Sequence, residues 1–297
     1  MYLTIYRFTI PLKIWSPRRE GLLIQIKNGD QIGWGEVSPL PGRSGESLDE
    51  ALLQLLSLEK GFSGRLFNSV AFGLKSASLS LPDSFSWPAS LLFMGTVEQI
   101  LDQVEKSPRG FSSAKLKIGH LSVPDAIFVT KKLKDVFHLR LDINQRWSWE
   151  EALKFCSHFD PGDFDYIEDP VGDISPFRVA YDEQDSSPTQ IEVWKPSVKG
   201  VPSFSENIVL GSSFESGLGH GLIALLAHHL SFTKTPTGLG SYHFLEEDLL
   251  ETPLSFSHGC AHIPSLSPKL HLLEKIKELR IYANRTLDSP LQTLNHL

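Results

Sequence analysis

Five short runs in the middle of the chain carry charged residues at alternate positions among apolar ones. Lys115 and Lys117 alternate with Leu116 and Ile118, and Arg140, Asp142 and Asn144 alternate with Leu141 and Ile143. Glu168, Asp182 and Lys195 each close a further run. Residues i and i+2 of a strand share a face, so each run sends its charges one way and its apolar side chains the other. In a parallel barrel the apolar face lies outside, under helices, which directs the charges inward near the C-terminal strand ends where such barrels carry their chemistry. Asp142, Glu168 and Asp182 are then three hard oxygen donors from neighbouring strands, a set suited to Mg²⁺, with Mn²⁺ also acceptable. Lys117 and Lys195 flank that point from opposite sides. Burial and neighbouring positive charge depress a lysine pKa and turn it into a base. A lysine base beside a divalent metal suits removal of the α-proton of a carboxylate, with the metal stabilising the enediolate. Each signal alone has a plainer reading: a Lys-x-Lys pair as a solvated strand face, Asp142 and Asn144 as a turn, Glu168-Asp169-Pro170 as a strand end. Their succession on consecutive strands outweighs those readings.

The elements needed to position these residues are legible from periodicity. Strands are expected at 90–93, 114–118, 139–143, 164–168, 177–182, 191–195, 208–212 and 238–242, with helices at 97–105, 125–136, 149–158 and 222–230. This is an α/β pattern of eight strands, a modified (β/α)8-type barrel. Only 171–176 and 183–190 separate the fourth, fifth and sixth strands, too little for the dozen residues a helical crossover needs, so several crossover helices are missing. Ile167, Val179, Tyr181 and Trp194 then face outward without helices. An apolar patch of that kind calls for cover, from the short connections, the C-terminal tail or a second subunit. Ahead of the barrel, strands at 2–10, 21–27 and 32–37, a turn at Asn28-Gly29-Asp30, and helices at 48–58 (capped by Ser47) and 70–81 form an α+β unit. The expected division is a capping domain at 1–87, a barrel at 88–252, and a segment at 253–297 that returns to the cap.

Bulk properties narrow the function. The 297 residues accommodate one barrel and a smaller domain, and 41% hydrophobic with 21% charged residues is ordinary for a globular protein. A net charge of −7 argues against nucleic acid or anionic lipid as partner. Cys156 and Cys260 are too few for a disulfide framework, the strand-like start is no signal peptide, and no apolar run approaches the roughly 20 residues of a membrane span. A cytoplasmic enzyme acting on a small anionic carboxylate is expected. His258, Cys260 and His262 lack the second spaced pair of a zinc site, and Gly217-Leu218-Gly219-His220-Gly221 lacks the glycine spacing of a dinucleotide loop.

Lys-x-Lys, Asp-x-Asn, Glu-Asp-Pro, Asp-Glu and Lys-Pro, in that order on successive strands, resemble the enolase superfamily. Within it, the stretches at 33–42 (GWGEVSPLPG), 69–73 (SVAFG), 139–142 (LRLD), 195–196 (KP) and 212–216 (SSFES) resemble the o-succinylbenzoate synthase family. The resemblance implies Mg²⁺-dependent syn elimination of water from 2-succinyl-6-hydroxy-2,4-cyclohexadiene-1-carboxylate, giving 2-succinylbenzoate for menaquinone biosynthesis. It implies that Lys117 takes the α-proton and returns it to the leaving hydroxyl, while Lys195 lies against the opposite face and Lys115 supports the substrate carboxylate. It also assigns Asn144 and Arg140 to the surroundings of these groups, and Ser212, Ser213 and Glu215 to the border of the succinyl group. Cap loops at 12–19 and 39–44, the latter ending in Ser44, would contact substrate. One departure is Gly238-Leu239-Gly240-Ser241, where the family usually shows an acidic residue after Gly-Leu. Two rival functions are an N-acylamino acid racemase or dipeptide epimerase of the same superfamily, and a catalytically idle barrel serving as a binding module.

Overall fold

The computed structural model describes residues 1–13, 18–80, 82–182, 190–203, 205–232 and 235–281. Strands β1 (Tyr2–Pro11), β2 (Arg18–Asn28) and β3 (Gln31–Val37) form an antiparallel meander. Asn28 pairs with Gln31, leaving Gly29-Asp30 as a two-residue loop whose Gly29 has φ +61°, the left-handed backbone such loops favour. Helix α1 (Leu48–Ser57) begins with a reciprocal cap, in which Ser47 Oγ accepts from the Glu50 N–H and the Glu50 carboxylate accepts from the Ser47 N–H.

Helix α2 (Asn68–Ala77) lies on β3 so closely that only glycine fits between them. A Cβ at Gly33 would stand 1.8 Å from the Ala77 carbonyl oxygen, and one at Gly35 would stand 2.0 Å from that of Gly73. Both obstacles are backbone, which cannot rotate away. Gly35→Ala is therefore expected to destabilise the protein by about 2–3 kcal/mol through overpacking. Urea unfolding checks this: the midpoint should fall with an unchanged slope, and an unchanged midpoint would refute the close packing.

The parallel sheet runs β5 (Leu91–Phe93), β6 (Ser113–Lys117), β7 (His138–Asp142), β8 (Tyr166–Glu168), β9 (Val179–Tyr181), β10 (Ile191–Trp194) and β11 (Ile208–Leu210), each paired with its sequence neighbour. It is preceded by β4 (Phe85–Pro88). Helices α3 (Val97–Glu105), α4 (Val123–Leu133) and α5 (Trp149–Cys156) cover the first strands, α6 (Pro196–Lys199) is a single turn, and α7 (Gly217–His229) follows β11. The expected eighth strand at 238–242 does not form. Residues 240–244 wind into a 3-10 turn, and the barrel closes through isolated parallel bridges, Ala89 to Thr237 and Gly211 to Gly238. Gly240 explains the departure: a Cβ there would lie 2.4 Å from the Leu92 backbone nitrogen, so the chain crosses β5 where a regular strand would pair beside it.

No helix covers β8. Ile174 and Phe177 of its short connection do so instead, with Phe177 stacked on Phe164 at 5.3 Å between ring centroids, and Ile167 is buried within the single chain. Val179, Tyr181 and Trp194 are half-buried, and the Trp194 indole donates to the Gly200 carbonyl at 2.7 Å under the Lys199 ammonium. Short connections thus supply much of the cover required on this flank. The expected connection at 183–190 lies, except for Gln190, outside the described residues.

In the C-terminal part, β12 (Ser255–Ser257) pairs with β13 (Cys260–Ile263), which pairs with β4, at the entrance to β5. β14 (Glu274–Arg280) then adds to β1 of the cap, with Tyr2 opposite Arg280. The tail beyond residue 281 lies outside the described residues. Among the described residues, no helix is long and apolar enough to cross a membrane.

Candidate active site

Parallel register brings the charged residues together. Lys117 on β6 is level with Asp142 on β7, which is level with Glu168 on β8. Asp182 and Lys195 directly follow β9 and β10. Alternation holds one layer down, where Tyr166, Ala180, Val193 and Val209 form a separate small apolar cluster beneath Glu168, Asp182 and Lys195. The charges thus sit on an apolar floor and are drawn to one another. Lys115 Nζ donates to both oxygens of Glu168, at 2.6 and 2.7 Å, and lies 2.9 Å from Asp142 Oδ2. Lys117 Nζ lies 3.2 Å from the same Asp142 oxygen, and the Lys195 ammonium is paired with Asp182 Oδ2. Each of these two lysines is tied to a different carboxylate.

Burial acts on every member of the cluster. It lowers the Lys117 pKa, an effect that Asp142 only partly offsets and that the charges of Lys115 and Lys195 reinforce. For Lys115, burial is overcome by Asp142, Glu168 and Asp182, and its pKa stands well above the ordinary lysine value. Burial pushes the Glu168 carboxyl up to about 7 despite Lys115. The Asp142 carboxyl, by contrast, is held well below its ordinary range because Lys115 and Lys117 outweigh its burial. An ammonium of lowered pKa therefore stands beside one of raised pKa.

Asp169 belongs to this site, and alternation alone misses it. Its left-handed φ of +50° breaks the in-out pattern after Glu168, and its Oδ1 accepts the Asp182 N–H at 3.0 Å. Glu168, Asp169 and Asp182, all buried, have carboxylate oxygens within 4.8 Å of one another. Asp142 stands outside that triplet and is linked to Glu168 through the Lys115 ammonium. Its Oδ1 is buried with no hydrogen-bond partner, a costly state for a carboxylate oxygen that a cation would relieve. The donor set, all hard oxygens, fits a divalent ion such as Mg²⁺.

Above the cluster lies a cavity of about 1080 Å³ lined by Lys115, Lys117, Glu168 and Lys195. Arg18, Arg43 and Ser44 line it from the cap, and Arg146 from the barrel. Asn144 is also on its wall, accepting from Arg43 Nη2 at 3.3 Å across the two parts of the chain, and Ser44 Oγ accepts the Leu40 N–H at 2.8 Å. Arg140 reaches the cavity from the deeper layer, donating to the Pro236 carbonyl at 2.8 Å and lying over the Tyr166 ring. Ser212 and Ser213 form part of the wall. Glu215 is not among the lining residues: its carboxylate accepts from Ser197 Oγ and from the Ser213 N–H. Of the expected cap loop at 12–19, residues 14–17 lie outside the described residues.

Glu215 belongs to a buried polar seam between cap and barrel. Glu36, at the end of β3, accepts from Ser38 Oγ at 2.8 Å, from the Ser216 N–H at 3.1 Å and from Ser216 Oγ at the start of α7. Burial raises its carboxyl from an ordinary 4.5 to about 7. The native state thus holds this proton where the unfolded chain has lost it, so its contribution to stability is complete below 4.5 and is lost as pH rises through about 7. Glu36→Gln is expected to flatten the pH dependence of stability over that window, as read by denaturant unfolding. An unchanged slope would show that Glu36 does not titrate there.

Comparison with known proteins places this geometry. The family model described as MenC, N-terminal domain matches residues 2–81, and that described as Enolase C-terminal domain-like matches residues 99–188. A capped parallel barrel with lysines and carboxylates at its strand ends is the architecture of enolase-superfamily enzymes, and the chain belongs to that superfamily. Within it, the chain resembles the o-succinylbenzoate synthases. It is 29% identical to the o-succinylbenzoate synthase of Citrobacter koseri over 293 residues, covering 82% of this chain and 91% of that one. The same fold is seen in the o-succinylbenzoate synthase of Thermosynechococcus elongatus, solved with Mg in its active site, at TM-score 0.70 and 20% identity over 85% of this chain and 97% of that one. The L-Ala-D/L-Glu epimerase of Bacillus subtilis shares it too, at TM-score 0.70 and 18% identity over 93% of this chain and 99% of that one.

Proposed function

We propose that the chain is an o-succinylbenzoate synthase, a lyase that removes water from 2-succinyl-6-hydroxy-2,4-cyclohexadiene-1-carboxylate to give 2-succinylbenzoate. The observation that carries this reading is Lys117, a half-buried lysine of lowered pKa on the cavity wall, beside a row of carboxylates whose far end is tied to Lys195. Asp142, Glu168 and Asp182, with Asp169 beside them, would hold a divalent cation. When bound, such an ion polarises the substrate carboxylate and makes its α-proton more acidic.

The chain's own groups supply the rest. Lys117 Nζ takes the α-proton and then delivers it to the leaving hydroxyl on the same face of the ring, so the elimination is syn. Lys195 faces the ring from the other side, its charge opposing the negative charge that builds up during proton removal. Lys115, kept protonated by its three carboxylate neighbours, holds Glu168 and Asp142 in place. Arg18, Arg43 and Arg146 on the wall suit the second carboxylate that a succinyl tail carries. Aromatisation of the ring makes the reaction favourable. The similarity to relatives named o-succinylbenzoate synthase supports the particular substrate, and a soluble, cytoplasmic enzyme of menaquinone biosynthesis would follow from it.

The test is loss of the diene absorbance on mixing substrate with enzyme, with Mg²⁺ and after chelation. Mg²⁺-dependent loss is expected, and no loss in either condition would overturn the assignment. Lysines at both ends of the carboxylate row also suit two-base racemisation of an N-acylamino acid. Exchange of the α-proton of such a compound with deuterium from solvent would identify that activity.

A further inference from the structure

A chain of hydrogen bonds runs from the core of α7 to the cavity wall. His220, fully buried, places Nδ1 3.0 Å from the Ser216 carbonyl oxygen and Nε2 2.9 Å from Ser241 Oγ. Ser241 Oγ lies 2.5 Å from Ser212 Oγ, and Ser212 Oγ lies 2.8 Å from the Gly238 carbonyl oxygen. Ser212 and Ser241 both line the cavity. Ser241 reaches His220 because residues 240–244 form a turn where a regular eighth strand is expected.

The polarity of this chain follows from its inner end. A carbonyl oxygen only accepts, so His220 Nδ1 carries the hydrogen. Burial lowers the His220 pKa, with Glu215 and Asp248 opposing, which keeps the ring neutral. Nε2 of a neutral ring with Nδ1–H is an acceptor, and the Ser241 hydroxyl must donate to it. The single Ser212 hydrogen is then shared, in a three-centre bond, between Ser241 Oγ and the Gly238 carbonyl oxygen, both of which accept from it. Among the described residues no donor then takes a lone pair of Ser212 Oγ, and Ser212 lies on the cavity wall.

We propose that His220 is a positioning residue that, through Ser241, presents Ser212 Oγ to the ligand as a hydrogen-bond acceptor. Resting on the site assigned above, this makes the Ser212 wall a subsite for an N–H or O–H donor, carried by the ligand itself or by a water it retains. A carboxylate is not its partner, and the ligand's second carboxylate falls to the arginines. If His220 is removed, the Ser241 hydrogen turns to Ser212 and occupies a lone pair that the ligand's donor needs.

Two measurements test this without requiring turnover. The first is the tautomer of His220 in ¹⁵N-histidine-labelled protein, assigned by difference from His220→Gln. Protonated Nδ1 with bare Nε2 is expected, and protonated Nε2 overturns the proposal. The second is binding to the Mg²⁺-loaded protein of two probes with the same tail: 2-succinylbenzoate, which has no donor, and N-succinyl-phenylglycine, which has an amide N–H. In His220→Leu, the amide probe should lose about tenfold in affinity, the scale of one hydrogen bond. Loss for that probe alone means direct contact, and equal loss for both means a retained water. Unchanged affinity for both overturns the proposal. His220→Gln, which restores an acceptor to Ser241, should recover much of the loss, and His220→Leu should add nothing in a Ser212→Ala background. An additive effect would reduce His220 to a packing role. Absence of dehydratase activity in the wild type would refute the proposed reaction while leaving both measurements readable.

Discussion

Lys117→Ala is expected to lower kcat for the dehydration by about 10²- to 10⁴-fold, the range associated with a positioned proton carrier, with little change in substrate KM. The side chain is on the cavity wall, is half-buried and, among the described residues, makes one ion pair, to Asp142 at 3.2 Å. Asp142 keeps a second ammonium, that of Lys115, at 2.9 Å, so the variant should fold with near wild-type stability. Lys117→Arg separates charge from proton transfer. A guanidinium keeps the positive charge beside Asp142 but does not give up a proton at any working pH, so this variant should be as inactive as alanine. Single-turnover rates of diene loss check both. An arginine variant within about tenfold of wild type would assign Lys117 an electrostatic role only, because a loss that small lies below the general-base range.

Glu168→Gln should produce the second large effect, on metal affinity and on stability. Both Glu168 oxygens accept from Lys115, and the residue is 1% exposed. The amide replaces a charged oxygen donor by a neutral one and leaves Lys115 with Asp142 as its close partner. A fall in Mg²⁺ affinity of about 100-fold or more is expected, since even residues that merely orient metal ligands contribute 10- to 100-fold. Loss of one partner of a buried ion pair should also lower stability by about 3 kcal/mol. Titration calorimetry with Mg²⁺ and urea unfolding of the metal-free protein read the two effects separately. Wild-type Mg²⁺ affinity would remove Glu168 from the ligand set.

Much of this architecture could be read from local pattern because its causes are local. The alternation in 114–118 and 139–143 requires strands with charge on one face, and these appear as β6 and β7. Ser47, three residues before Glu50, marks a helix start because both partners of the cap lie within one turn. Local pattern did not mark Gly33 and Gly35 as points of close approach, because what excludes a side chain there, the carbonyls of α2, lies some forty residues away.

The sequence by itself determined the strand order, the inward direction of Lys115, Lys117, Asp142, Glu168, Asp182 and Lys195, and the shortage of residues for helices around β9. Those depend on side-chain parity and chain length, which neighbouring residues set. Tertiary structure decided what parity cannot carry. The φ of +50° at Asp169 turned a residue of nominally outward parity toward Asp182. The contact of Gly240 with β5 replaced an eighth strand by a turn and brought Ser241 against His220. Glu215 was drawn from the cavity border by hydrogen bonds to Ser197 and Ser213. In each case the side chain went where a buried polar group found its partner, and such partners are chosen by distance in space rather than by spacing along the chain.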